Sequence, residues 1–233
     1  MLINLVKRSI IASVVGLTGL TNVLSPTHAA IINGGFETGF NGWTTIGNTS
    51  IQSTEGNDQA LVLTGDTAYY ASDLETFLGL ATGSLNDVGN GETSQGSAIR
   101  QTFTANAGQA LSFKWDFLTS EATPSQFFND FSFITIDSLS KLADTSSEFV
   151  PSTTAFDKET GSQTFSYVVP TTGTYSLGIG VIDVGDSYNS SGLLVDNVAL
   201  SSTPVPEPNS ALSVLALGVL GIGSLFKHKQ HKG

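Results

Sequence analysis

Much of the chain between residues 97 and 200 follows a two-residue rhythm. Leu111, Phe113, Trp115 and Phe117 alternate with Ser112, Lys114 and Asp116, while Tyr175, Leu177, Ile179 and Val181 alternate with Ser176, Gly178 and Gly180. Phe165, Tyr167 and Val169 repeat the pattern. A period of two sends successive side chains to opposite faces, so each run predicts a strand with one buried side, and Trp115 is assigned to the core. Further strands are predicted at Ile31–Phe36, Thr44–Gln52, Gln59–Thr64, Ser97–Thr104, Phe131–Asp137 and Leu193–Leu200, separated by Gly, Asn, Asp, Pro and Ser clusters. About nine short strands in about 170 residues predict an all-β, antiparallel β-sandwich with enough core to stand without disulfides.

One stretch departs from that rhythm. Ser72-Asp73-Leu74-Glu75 has the form of a capping box, and Leu74, Phe77 and Leu78 fall at helical spacing, which predicts one short helix over residues 73–80 ended by Gly79 or Gly83. Its apolar stripe is expected to pack across an open end of the sandwich. Asn86 to Ser94, with little large apolar content, reads as an exposed loop.

Both ends read as addresses. Lys7 and Arg8 precede the apolar stretch Ser9 to Leu20, and Thr27-His28-Ala29-Ala30 follows, the order of a secretory signal peptide over residues 1–29 cleaved after Ala29. Ser210 to Phe226 carries no charge and is followed by Lys227, Lys229 and Lys232. Seventeen residues at about 1.5 Å each reach roughly 25 Å, which predicts a transmembrane anchor over 210–226 with the basic tail, 227–233, on the cytoplasmic side. The linker at 204–209 holds Pro206, Glu207 and Pro208, and its prolines forbid helix.

Charge sharpens the picture once these ends are set aside. The segment 30–203 keeps four basic residues, Arg100, Lys114, Lys141 and Lys158, against nineteen acids, a net of −15, and it contains neither His nor Cys. A nucleic-acid partner has little to attract it. Triads, thiol dyads and His-ligated zinc all require a side chain this segment lacks, so the domain is read as non-catalytic.

The order Pro206-Glu207-Pro208, apolar helix, short basic tail resembles the PEP-CTERM sorting signal of bacterial surface proteins. That resemblance implies processing near the motif by an exosortase-type membrane enzyme, in bacteria that make extracellular polysaccharide, with final residence at the cell surface or outside it. At the head of the segment stand Asn33-Gly34-Gly35-Phe36-Glu37 and Gly42-Trp43, and at its tail Leu194-Val195-Asp196-Asn197-Val198. These bookends resemble the galactose-binding-like jelly rolls of carbohydrate-binding modules. In such modules the opening glutamate and closing aspartate often share a structural calcium ion, which nominates Glu37 and Asp196, with Asn57 and Asp58 as contributors. The competing account is that these acids only accept hydrogen bonds.

Asp116, Glu121, Asn129, Asp130, Asp183 and Asp186 form a second group in a stretch that resembles other PEP-CTERM ectodomains of unknown role. These residues read either as a second metal site or as turn formers, and the turn reading is preferred because Asp and Asn bond back to the chain in turns. For sugar stacking the candidates are Trp43, Tyr69, Tyr70 and Tyr188, together with Phe127 and Phe128, in or beside predicted loops. The function expected is association with extracellular or cell-surface polysaccharide. The alternatives are a structural envelope or biofilm matrix protein without sugar specificity, and a carboxylate-based glycan-cleaving enzyme.

Overall fold

The computed structural model describes residues 30–54, 56–89 and 91–201. Within them the chain forms two antiparallel sheets face to face. The front sheet has the order β1 (Thr44–Ile46), β5 (Thr93–Ala105), β12 (Gly173–Val184), β7 (Phe131–Thr135), β8 (Leu139–Asp144), with β4 (Tyr69–Tyr70) added at the start of β5. The back sheet has the order β2 (Asn48–Thr54), β3 (Asn57–Leu63), β13 (Ser191–Ser201), β6 (Ala110–Thr119). The far edge of β6 carries β11 (Gln163–Val168) and then β10 (Lys158–Glu159), with β9 (Val150–Pro151) outside β10.

The alternating runs do what their period predicts. Phe113 and Phe117 of β6, Leu177, Ile179 and Val181 of β12, and Leu193 and Val195 of β13 point between the sheets and are buried in one core. Trp115 is partly buried against that core. The predicted strand over 44–52 is divided at Gly47, where the chain leaves the front sheet as β1 and enters the back sheet as β2. Gly47 has φ 83°, and a Cβ there would lie 2.3 Å from Ser97 Oγ. Ser97 in turn accepts from Asn48 N at 2.7 Å and donates to Leu63 O at 2.6 Å, tying both sheets at the crossing.

The helical region differs from its sequence reading in three respects. α1 (Ala71–Leu78) begins at Tyr70 without a side-chain cap and stops at Gly79, φ 74°. Glu75 does not reach back to close a capping box; its carboxylate accepts from Gly83 N and Leu85 N at 2.9 Å each, where it satisfies the start of α2 (Ser84–Val88). That second helix and the start of β5 occupy much of the stretch read as a loop. The helix pair also does not plug an open end. Leu74, Leu78 and Leu85 pack on the outer face of the front sheet against Ala98, Phe131, Phe133, Ile182 and Val184, as a second apolar cluster. The reason lies in β7 and β12, which are apolar on both faces and need a cover on each.

The predicted strand at 31–36 is a series of turns that docks on the last strand. Val198 N donates to Gly34 O at 2.9 Å, and a Cβ on Gly34 would stand 1.9 Å from Val198 O, so only glycine fits this approach. β13 makes room with a bulge between Asp196 and Ala199, where Asn197 has φ 55°. Among the described residues no helix is long and apolar enough to cross a membrane. The expected signal peptide, Pro206-Glu207-Pro208 linker, anchor and basic tail lie outside the described residues.

Candidate functional site

Four loops meet at one end of the sandwich. Ser120 N donates to Ser190 O, Thr64 N to Ser191 O, and Gly185 N to Glu92 O, which binds the segments around 64, 92, 120 and 185–191 together. Ser94 Oγ adds a bond to Asp186 O at 2.7 Å. The 120–130 loop approaches Gly185 with the Phe127 carbonyl and the Phe128 ring.

Aromatic rings project from this end. Tyr188 is 90% exposed, Phe127 79%, Tyr70 73% and Tyr69 51%. β4 contains only Tyr69 and Tyr70, so both tyrosines of this edge strand reach solvent although they point to opposite sides. Beside Tyr70 lies a polar recess of about 340 Å³, lined by Ser72, Glu75, Thr82, Asn86 and Ser94 among others. Trp43 does not belong to this set. It is 8% exposed, its ring lies 5.3 Å from that of Phe36, and its Nε1 donates to Asn33 O at 3.3 Å. The ring that sequence placed in a sugar platform is a core residue, because the turn 33–43 folds back over it.

The bookend acids sit at the opposite kind of place. Glu37 Cγ and Asp196 Oδ1 come within 3.9 and 4.0 Å of the position a Cβ on Gly35 would take, so Glu37 and Asp196 are brought to one side of the turn. Asp196 Oδ1 accepts from Asn197 N at 2.6 Å, and Oδ2 accepts from Asn57 Nδ2 at 3.1 Å and Asn197 Nδ2 at 2.9 Å. Asp58 is one strand position away from Asn57 and accepts from the Ser53 hydroxyl instead. A cation at this corner would therefore be held by Glu37 and Asp196, without Asp58. Next to it, on the uncovered face of the back sheet, a second cleft of about 340 Å³ is lined by Asn57, Gln59, Lys114, Asp116, Leu194 and Asp196, among others. Burial pushes the Asp116 carboxyl up to about 6, against the Thr160 hydroxyl that bonds it.

Beneath the aromatic end lie the acids that sequence assigned to turns. Ile182 pairs with Phe131, so the next residues, Asp183 and Asp130, come side by side. Asp130 accepts from Val184 N at 2.9 Å and from Ser191 Oγ at 2.7 Å. Asp183 is 1% exposed and neither of its carboxylate oxygens has a hydrogen-bond partner; Glu121, 5% exposed, has one such oxygen. Thr64 stands close to Asp183, but its hydroxyl donates to Ser191 O and accepts from Ser191 N. Burial, and then the charge of Asp183, raises the Asp130 carboxyl well above the carboxylate range; burial, with the charges of Asp186 and Glu121, raises Asp183. Asp144 shows the contrary case. Burial works against its charge, but Lys141, Ser146 N and Asn129 bond it and hold it below the usual value. Glu121, Asn129, Asp130 and Asp183 are buried rather than turn formers, whereas Asp186 does form a turn, its Oδ1 accepting from Tyr188 N two residues on. The signal in sequence was Asp183 itself, an acid inside the apolar run Ile179 to Val184.

No family model matches this sequence, and no curated protein matches it. Among solved structures, TmCBM61, described in complex with beta-1,4-galactotriose, aligns with TM-score 0.42 and 11% identity over 75% of this chain and 99% of its own. CBM28, described as a carbohydrate-binding module specific for non-crystalline cellulose, aligns with TM-score 0.41 and 11% identity over 75% and 96%. The K3 cleaved adhesin domain of Lys-gingipain from Porphyromonas gingivalis w83 aligns with TM-score 0.39 and 11% identity over 75% and 100%. The likeness is one of general architecture, and a shared architecture does not transfer a site.

Proposed function

We propose that this chain is an exported, non-catalytic surface protein that holds extracellular or cell-surface polysaccharide through the aromatic end of its sandwich. The observation that carries the reading is the exposure of Tyr70, Phe127 and Tyr188 at one end, where Tyr70 borders a recess lined with hydroxyls, the Asn86 amide and the Glu75 carboxylate. Flat rings stack on the C–H faces of sugars, and neighbouring hydroxyl and amide groups orient the sugar's own hydroxyls. Net charge −15 over 30–203 repels an anionic chain, so the partner is a neutral glycan or one bridged by cations. Bond cleavage is disfavoured because segment 30–203 has no His or Cys, and its adjacent Asp130 and Asp183 are sealed from a substrate.

Export and anchoring rest on the sequence: the leader at 1–29, the apolar segment 210–226 and the basic tail. Pro206, Glu207 and Pro208 make an exosortase-type enzyme the processing partner. The test is a glycan array probed with the full-length protein and with Tyr188→Ala. Retention on neutral glycans, weakened about tenfold in the variant, supports the reading. Self-association without glycan retention would favour the structural matrix protein instead, and sustained reducing-sugar release would favour an enzyme.

A further inference from the structure

The carboxylates under the loop end present a problem that their surroundings leave unsolved. Three buried oxygens, both of Asp183 and Oε1 of Glu121, lack any donor. Asp186 adds a fourth acid nearby, and its Oδ1 accepts from Tyr188 N. The sole salt bridge among the described residues, Lys141 to Asp144, is made one strand over, opposite Phe131, and satisfies Asp144 rather than Asp183. A buried carboxylate without a partner costs its full desolvation. A single proton shared by Asp130 and Asp183 neutralises one charge, yet it supplies one donor for three orphaned acceptors. A divalent cation answers all of them together.

We infer that a calcium ion binds between Asp130 and Asp183, with Glu121 closing the site from the 120–130 loop. The donors are all hard oxygens with no nitrogen or sulfur among them, which disfavours zinc, and they come from loops and strand ends that tolerate irregular, high coordination, which favours calcium over magnesium. As the side chains stand, no three acidic, His or Cys groups among the described residues enclose an ion. Binding therefore draws Glu121 inward, while water, backbone carbonyls and the neighbouring Ser191 and Thr119 hydroxyls, which lie 2.9 Å apart, complete the shell. This site is separate from the Glu37 and Asp196 corner, where neither oxygen of Asp196 is left without a partner as both oxygens of Asp183 are here.

The experiment is calorimetric titration of chelator-treated full-length protein with calcium chloride, paired with melts with and without the metal. Wild-type protein should bind calcium and melt about 5–10 °C higher at a hundredfold excess over Kd. Asp183→Asn should lose both responses, and Glu37→Gln should keep both. Should Asp183→Asn not fold, Glu121→Gln supplies the second variant, with affinity expected to fall about tenfold. Absence of heat and melting shift in the wild type overturns the inference. So does a calcium response that Asp183→Asn, or Glu121→Gln where Asp183→Asn does not fold, leaves at full strength, whatever Glu37→Gln does. Neither result bears on glycan retention, which is read separately.

Discussion

Where Gly34 meets the β13 bulge, Trp43 is packed against Phe36 and both oxygens of Asp196 accept hydrogen bonds. At the loop end, Tyr188 and Phe127 stand in solvent above Asp183, whose two carboxylate oxygens have no donor, and Glu121, which has one such oxygen. Aromatic and acidic residues build both places. The difference is backbone: at the corner the chain folds back and supplies amides and side-chain amides, whereas at the loop end four loops converge and supply few. The corner thus consumes its chemistry in holding the fold, and the loop end keeps its chemistry available. Residue type alone would have ranked Trp43 and Tyr188 together.

Substitutions should separate the two places sharply. Trp43→Ala is expected to cost about 3–5 kcal/mol, a fall of about 10 °C in Tm, while the folded fraction keeps its glycan affinity. A chemical melt combined with glycan retention checks both halves. Gly34→Ala should cost about 3 kcal/mol, at the upper end for overpacking, because its Cβ meets a backbone carbonyl that cannot rotate away. Urea unfolding with an unchanged m-value is the expected outcome. Tyr188→Ala should invert this result, leaving stability within about 0.5 kcal/mol and weakening glycan retention about tenfold.

A further effect concerns pH, in protein stripped of divalent cations. The Asp130, Asp183 and Asp116 carboxyls are all raised above the ordinary aspartate value, by burial first. A raised carboxyl binds its proton more tightly folded than unfolded, so its contribution is complete below the unfolded value and disappears as pH rises through the folded one. Metal-free protein should therefore melt higher at pH 5 than at pH 8. Asp183→Asn should flatten that slope, whereas Trp43→Ala should lower both values and leave the slope in place.

The sandwich was legible because β6, β11 and β12 each carry a period-two run. What was not legible is where local pattern and global packing part company. Thr44–Gln52 reads as one strand because Gly47 breaks no hydrophobic period, yet its positive φ carries the chain between sheets. Glu75 suggested a capping box by spacing, but the nearest unsatisfied amides belonged to α2. The strands β8, β9 and β10 are short or polar edge pieces whose existence depends on neighbours already in place. At the loop end the aromatic candidates Tyr69, Tyr70 and Tyr188 could be named from sequence, but by the same reasoning so was Trp43, which a turn then covered. The orphaned state of Asp183 could not, because it follows from which donors fail to arrive.

The central claim is that the aromatic loop end is the surface that meets polysaccharide. Backbone amide NMR of the full-length protein in detergent micelles, titrated with a neutral oligosaccharide retained on the array, tests it residue by residue. The account predicts that shifts concentrate at Tyr70, Phe127, Tyr188 and their neighbours. Shifts confined to Gln59, Lys114 and Leu194 along the back-sheet cleft, or to the turn around Trp43, would contradict it.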